Sequence, residues 1–271
     1  MTMRSPFGGD FLPPISRSGF ARAGSLSGLQ KRREFIADKL SILGDAALLF
    51  VPIGTDTTSS TGVDRNGRVI TWDATIAGRY STQGSGLLVD FDGAANEGDT
   101  PDVDALSFGD SQYDFPFSVG GLFVPDVNNA LMTLLAKGGA ATTEEWELFL
   151  DASGHPNFRL ADESATAFLE GRYAVAAGTG VVTIDATYSG ARLGGGVSLY
   201  TNGVSRTVTN DSSGAYVAME NSTGLMHVGA RFATKEQFFN GRIGYAYVTP
   251  RMLTAAEIAE SYHQDVAYYA L

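Results

Sequence analysis

Eight carboxylates crowd one stretch of the chain: Asp90, Asp92, Glu97, Asp99, Asp102, Asp104, Asp110 and Asp114 fall within 25 positions. Acids at that density repel one another unless they are solvated or hold a cation, and hard oxygen ligands suit calcium. The spacing is not that of an EF-hand loop, so Asp90, Asp92, Asp99, Asp102 and Asp104 stand as candidate calcium ligands on acid density alone. A second chemistry is open to the aromatics, because sugar C–H faces stack on rings that have amides or carboxylates nearby. Trp72, Tyr80, Tyr113, Trp146 and Tyr216 are the candidates for such a glycan platform, although core or edge packing explains the two Trp equally well. Other chemistries are closed. With no Cys there are no disulfides, thiolate nucleophiles or Cys-based metal sites. The three His, at 155, 227 and 263, stand too far apart for a local zinc motif. His155 precedes Pro156 in a turn, His227 lies within a strand pattern and His263 on a final helix, so all three read as structural. No Ser/His/Asp arrangement has motif support, and no other cofactor is indicated.

The charge is unevenly divided over the 271 residues, whose formal net charge is −11. Residues 1–40 carry seven cations and three anions, while the other 231 carry 12 cations and 27 anions, a split of +4 against −15. Such a contrast suggests an appended basic arm on an acidic body. The first 28 residues are rich in Gly, Ser, Pro and Arg, yet interleave Phe7, Phe11, Leu12, Ile15, Phe20 and Leu26. A tail that stays in solvent has no use for those apolar residues. Two readings follow: an arm that orders on a partner subunit or other protein, which the reading favours slightly, or a segment that wraps its own body. Arg4, Phe7, Phe11, Arg17, Phe20, Arg22, Lys31, Arg32 and Arg33 are the candidate docking residues. From Ser27 onward, Leu29, Phe35/Ile36, Leu40 and Leu43 recur at near-helical spacing, with Ser27 and Gln30 in capping-box form and Gly44 as a stop, predicting a helix over 28–42. The acidic total argues against wrapping duplex nucleic acid, and no apolar run reaches membrane-spanning length. Gly8, Gly9, Pro13 and Pro14 break any signal-peptide core.

From residue 45 the elements that must carry these groups are short strands between Gly/Asn/Asp/Ser turns. Strands are predicted at 46–51, 68–72, 87–91, 115–124, 131–135, 145–150, 157–160, 181–188, 197–201, 225–230 and 241–248. Val182, Ile184 and Ala186 mark one face of the eighth, and Ile243, Tyr245 and Tyr247 one face of the last. Asn202-Gly203 between Leu199-Tyr200 and Val204 is a strong hairpin signal. Thr254 followed by Glu257 is a second capping box, on a short closing helix at 255–263. The pattern predicts a β-sandwich or barrel, organised as an arm and helix over 1–44 and one sandwich over 45–271.

The order of several fragments resembles the concanavalin A-like jelly-roll superfamily, in its laminin G-like branch. The run begins at Leu87-Leu88-Val89-Asp90-Phe91-Asp92-Gly93, then Phe117-Ser118-Val119, Leu134-Leu135-Ala136-Lys137-Gly138-Gly139 and Trp146-Glu147-Leu148-Phe149-Leu150-Asp151. Ile184-Asp185-Ala186-Thr187-Tyr188-Ser189-Gly190 and Ser198-Leu199-Tyr200-Thr201-Asn202-Gly203-Val204 are similar to the family's most recognisable pair. The chain closes with His227-Val228-Gly229-Ala230, Phe239-Asn240-Gly241-Arg242-Ile243-Gly244 and Arg251-Met252-Leu253-Thr254-Ala255-Ala256-Glu257-Ile258. Where the family often places Trp, this sequence has Gly120-Gly121-Leu122 and Val181-Val182, and smaller aliphatics are expected in place of Trp packing.

The resemblance implies an all-β, concanavalin A-like jelly-roll sandwich of antiparallel sheets, a fold that hosts lectins, hydrolases and adhesion modules alike. Glucanases of the superfamily present carboxylates as Glu-x-Asp-x-x-Glu on one strand face. Glu145-Trp146-Glu147 is the nearest run here and lacks the further acid, so a glycoside hydrolase is disfavoured. Laminin G-like folds also occur as modules on phage particles. The expectation is therefore a non-enzymatic surface protein of a phage or phage-like particle: a decoration, spike or fibre subunit, made in the host cytoplasm and placed on the virion surface. It would attach to capsid or tail proteins through residues 1–40, as a homo-oligomer. The alternative is an adhesin for host surface polysaccharide.

Overall fold

The computed structural model describes residues 28–44, 48–52, 70–72, 79–139, 143–192, 194–231 and 236–271. Arg4, Phe7, Phe11, Arg17, Phe20 and Arg22 of the arm lie outside the described residues, as does Ser27 of the expected first capping box. Helix α1 (Gly28–Leu43) comes first, followed by β1 (Leu48–Phe50), β2 (Thr71–Trp72), β3 (Tyr80–Gln83), β4 (Gly86–Asp92), β5 (Gly98–Thr100) and β6 (Phe117–Pro125). Then come β7 (Met132–Gly138), β8 (Glu144–Leu150), β9 (Pro156–Asp162), β10 (Ala167–Arg172), β11 (Val182–Tyr188) and β12 (Val197–Thr201). The chain ends with β13 (Val204–Arg206), β14 (Thr209–Ser213), β15 (Leu225–Val228), β16 (Asn240–Thr249) and helix α2 (Ala255–Tyr269).

Two antiparallel sheets form the sandwich. The first runs β13-β12-β11-β6-β16-β4-β3, with β1 also paired to β16, and the second runs β14-β10-β9-β8-β7-β15-β5-β2. Between them lies one apolar core that includes Phe117, Trp146, Phe158, Ile184, Tyr188 and Ile243. A second apolar layer, built on Phe35, Leu49, Leu122, Tyr245, Tyr247, Tyr268 and Tyr269, joins the outer face of the first sheet to α1 and α2. This outer layer is why β11 is buried along its whole length, its Thr183, Asp185 and Thr187 face included. It also corrects the expected face of β16. A register shift between Ile243 and Tyr245 sends Ile243 into the inter-sheet core and turns Tyr245 and Tyr247 toward the helices.

A buried polar cluster pins the helices down. The Lys39 ammonium is 0% exposed, pairs with Asp265 Oδ1 at 2.8 Å, and donates to Ser261 O, Ser261 Oγ and Tyr245 Oη at 2.8, 2.7 and 3.0 Å. Tyr245 Oη in turn donates to Asp265 Oδ2 at 2.8 Å, and Tyr247 Oη to Asp185 Oδ1 at 2.9 Å. Burial holds Lys39 below its ordinary pKa, with Asp265 opposing, and lifts Asp265 above its own, with Lys39 opposing. Of the positions where Trp is absent, Gly120 makes room for this cluster: a Cβ there would stand 2.5 Å from Asp185 Oδ1.

α1 matches its predicted span to within a residue. Its packing shows Gly28–Leu43 to be built onto the sandwich, because Phe35, Lys39, Ile42 and Leu43 are all buried. Helix α2 begins as expected, with Thr254 Oγ1 accepting from Glu257 N and Glu257 Oε2 accepting from Thr254 N. It runs six residues past the predicted end, since Asp265, Tyr268 and Tyr269 continue its buried stripe.

Candidate functional site

The segment from Phe108 to Phe117 forms a tight hairpin with its turn in solvent. Phe108 and Phe117 are buried and stack on each other, centroids 4.1 Å apart. Between them Gly109 bridges Asp114, Asp110 N donates to Tyr113 O at 3.1 Å, and Phe115 N to Phe108 O at 2.7 Å. Asp110 Oδ1 accepts from Gln112 N and Tyr113 N at 2.9 and 2.6 Å, the side-chain-closed turn that Asp favours. Ser111, at φ 69°, donates its N–H to Met219 O at 2.9 Å. The two segments touch so closely that a Cβ on Gly109 would sit 2.2 Å from Met219 O.

Asp114 is the anchor. Its Oδ2 accepts from Tyr188 Oη and Tyr216 Oη, each at 2.7 Å, and its Oδ1 from Met219 N at 2.8 Å. Burial raises its pKa against the pull of those three donors. Burial and the Asp114 charge likewise raise both tyrosines, which keeps them protonated donors. On this base the turn presents Tyr113 at 60% exposure and Phe115 at 50%. The Arg192 guanidinium lies over the Tyr113 ring, 4.6 Å from its centroid, and bonds Gln112 O, while Arg192 N donates to Tyr188 Oη at 2.9 Å. Two rings, a guanidinium, the Gln112 amide and the Asp110 carboxylate thus share one rigid, accessible turn. Such a group of atoms can stack on and hydrogen-bond a saccharide.

The predicted glycan residues separate into three groups. Tyr113 and Tyr216 meet at Asp114, one exposed and the other half-buried beneath it. Trp72 and Trp146 are corrected to core residues: they are 2% and 1% exposed, Trp72 packs on Phe50 and Phe91, and Trp146 Nε1 donates to Leu106 O at 3.2 Å. Tyr80 lies on edge strand β3, beside a cavity of about 460 Å³ that Arg79, Asp90, Asp126 and Arg242 also line. Phe115 was missed, since alternation with Phe117 reads as an ordinary strand end.

The candidate calcium ligands are not assembled. Among the described residues no three His, Asp or Glu side chains are grouped closely enough to hold a metal ion. Asp92 closes a turn with the N–H groups of Ala94, Ala95 and Asn96 and pairs with Arg79 at 3.3 Å; the backbone donors hold its pKa low against burial. Asp102 pairs with Lys137 at 2.8 Å. Asp90 is raised by burial and by Asp126, while Arg79 and Arg242 lower it. Asp99 sits on β5 and Asp104 is exposed. Of the remaining acids, Glu97 bonds His227 at 3.1 Å, and Asp110 and Asp114 build the hairpin.

Glu145 and Glu147 do not share a site. A register irregularity between β7 and β8 falls at Lys137/Gly138, opposite Trp146 and Glu144. Glu145 bonds Lys137, Ser107 and Ser222, whereas Glu147 accepts from Thr133 Oγ1 at 2.6 Å and pairs with Arg231. Both are buried, which raises both pKa values, and a retaining glycosidase pair must instead flank an open substrate site. Of the basic run, Lys31 donates to Ser85 Oγ at 3.3 Å, Arg32 to Val51 O at 2.9 Å, and Arg33 is exposed.

A family model of the laminin G type, described as the concanavalin A-like lectin/glucanases superfamily, matches residues 92–259. The chain belongs to this superfamily. No curated protein matches it by sequence. Among solved structures, domain 4 of an extracellular arabinanase from Geobacillus stearothermophilus, in complex with arabinotriose, aligns with TM-score 0.56 and 16% identity over 79% of this chain and 96% of that one. The receptor-binding domain of the botulinum neurotoxin C/D mosaic serotype aligns with TM-score 0.57 and 11% identity over 82% and 52%. A Trypanosoma rangeli sialidase aligns with TM-score 0.55 and 12% identity over 87% of this chain and 38% of its own. At these identities the likeness concerns the fold alone.

Proposed function

We propose that this protein is a non-catalytic carbohydrate-binding module whose glycan platform is the Asp114-anchored hairpin, with Tyr113 and Phe115 as stacking rings. One observation carries the reading: two large aromatic rings stand in solvent on a turn locked by a buried carboxylate with three donors. Holding the rings in place before binding reduces the ordering cost on association. Arg192, Gln112 and Asp110 would supply the directional polar contacts around them. The arabinotriose complex of the Geobacillus domain and the receptor-binding role of the toxin domains support a binding use of this sandwich. The separate, buried settings of Glu145 and Glu147 support the absence of glycosidase chemistry at β8. A glycan array spanning bacterial capsular and surface polysaccharides tests the proposal. Binding to at least one saccharide class is expected, and uniformly null binding overturns it.

The wider setting we propose is the surface of a phage or phage-like particle, with the acidic sandwich outward and residues upstream of α1 making the attachment. The sign split between residues 1–40 and the rest of the chain supports it. Deleting residues 1–26 should abolish incorporation while leaving the body folded. A truncated protein that still assembles normally refutes this setting.

A further inference from the structure

Lys137, near the end of β7, is 0% exposed, and each of its three ammonium hydrogens has an acceptor of its own. Nζ stands 2.8 Å from Asp102 Oδ1, 2.9 Å from Glu145 Oε1 and 2.6 Å from Gly224 O, with Ser222 O farther off at 3.4 Å. The two carboxylates differ in setting. Glu145 is fully buried, and its Oε1 also accepts from Ser107 Oγ, Ser222 N and Ser222 Oγ at 3.1, 3.0 and 2.8 Å. Its Oε2 is buried with no hydrogen-bond partner among the described residues. Asp102, half-buried in the loop after β5, bonds through its side chain to Lys137 and to nothing else among the described residues.

We infer that Lys137 and Asp102 condense into an intramolecular isopeptide bond, with Glu145 carrying the protons. The step balances without a co-reactant. Glu145 takes one hydrogen of the Lys137 ammonium, which frees the lone pair on Nζ to attack Asp102 Cγ. Glu145 passes that proton to an Asp102 oxygen and relays a second one from Nζ to the same oxygen, which leaves as water. The third hydrogen stays on the new amide, where Gly224 O already accepts it. Ammonium and carboxylate thus become amide and water, and Glu145 returns to its starting state. Burial raises the Glu145 pKa against the pull of Lys137, which suits a group that takes and returns a proton. Asp102 is the acceptor because four donors hold Glu145 Oε1, whereas losing an oxygen from Asp102 breaks only its bond to Lys137. The Asp102 side chain is 26% exposed, which gives the water a way out. Amine and carboxyl are held together in a site that largely excludes water, and condensation removes a buried charge pair. The bond would tie the loop after β5 to β7 across β15, pinning the short strands β5 and β2 at the edge of the second sheet. The inference does not depend on the glycan reading.

Intact-mass spectrometry of the full chain, purified folded and then denatured, tests it. The wild type should weigh one water less than its sequence mass. Chymotrypsin, which cuts after Phe91, Leu106, Leu135 and Trp146, should release a branched peptide joining residues 92–106 to residues 136–146. Asp102→Ala, at a half-buried loop position, and Glu145→Gln, which keeps an oxygen for Ser107 and Ser222, should both retain the full sequence mass. A wild type at full sequence mass overturns the inference, whether or not the variants fold. So does a water loss confined to residues 92–106, the mark of a cyclised Asp92-Gly93. A water loss confined to residues 136–146 also overturns it, since Glu145 would then be the acceptor.

Discussion

Replacing Asp185 by Asn should flatten a large part of the protein's pH dependence of stability. Asp185 is 3% exposed beneath the helices, accepts one hydrogen bond from Tyr247 and stands near Asp265. Burial lifts its pKa from the ordinary 3.8 to about 7, against the opposing pull of Tyr247 and Lys39. Between these values the native state holds a proton that the unfolded chain has released. Stability is therefore full below the unfolded pKa and is lost as pH rises through the folded one, at about 1.4 kcal/mol per pH unit. From about pH 4.5 to pH 7 the loss is about 3 kcal/mol. An Asn keeps the acceptor for Tyr247 and removes the charge, while its amide N–H groups need acceptors of their own. That accommodation sets a constant offset of about 1–3 kcal/mol and leaves the slope untouched. Urea denaturation of both proteins across this range should show the wild-type stability falling relative to the variant by about 3 kcal/mol. Parallel profiles would refute the assignment of a buried, largely protonated Asp185.

Lys39→Met should destabilise by about 3–5 kcal/mol, because it strands Asp265 without its cation, and a Lys39→Met/Asp265→Leu double variant should recover most of that loss in the same denaturation assay. Thr254→Ala removes the Oγ1 acceptor of the Glu257 N–H, leaves the Thr254 N bond to Glu257 Oε2 in place, and should cost about 1 kcal/mol by thermal unfolding. Asp114→Ala leaves Tyr188 Oη, Tyr216 Oη and Met219 N without their shared acceptor, and should cost at least about 1–3 kcal/mol. It should also speed hydrogen exchange at Ser111 and Phe115, whose amides hold the hairpin closed.

Most of the sandwich was legible because alternation and turn chemistry report on it directly. Eleven of the strands have sequence counterparts, and the Asn202-Gly203 turn and the Thr254 capping box were readable from residue type alone. Two of the missed strands are weak, since Thr209–Ser213 is exposed throughout and Gly98–Thr100 has three residues, but Ala167–Arg172 was missed although its residues alternate between buried and half-buried. The helix layer was hidden for a different reason. Lys39 and Asp265 look like solvent-facing charges, and only their pairing across two helices 226 residues apart makes each tolerable inside. The site was half legible. Tyr113 and Tyr216 were candidates by type, but what distinguishes Tyr113 is its place in a solvent-facing turn, whereas Trp72 and Trp146 lie on strands with their rings in the core. The acidic stretch misled, since Asp92, Asp110 and Asp114 bond backbone N–H groups and tyrosine hydroxyls, work that needs no metal.

The central claim, that the hairpin is a glycan platform, is tested most directly by calorimetric titration of an array-selected oligosaccharide into three proteins. These are the wild type, Tyr113→Ala/Phe115→Ala, and Phe168→Ala, the last placing its substitution on β10 in the second sheet. The double variant should lose at least about tenfold in affinity, about 1.4 kcal/mol, while Phe168→Ala binds as the wild type does. Undiminished binding by the double variant, with loss in Phe168→Ala, would place the saccharide on the second sheet and contradict the account.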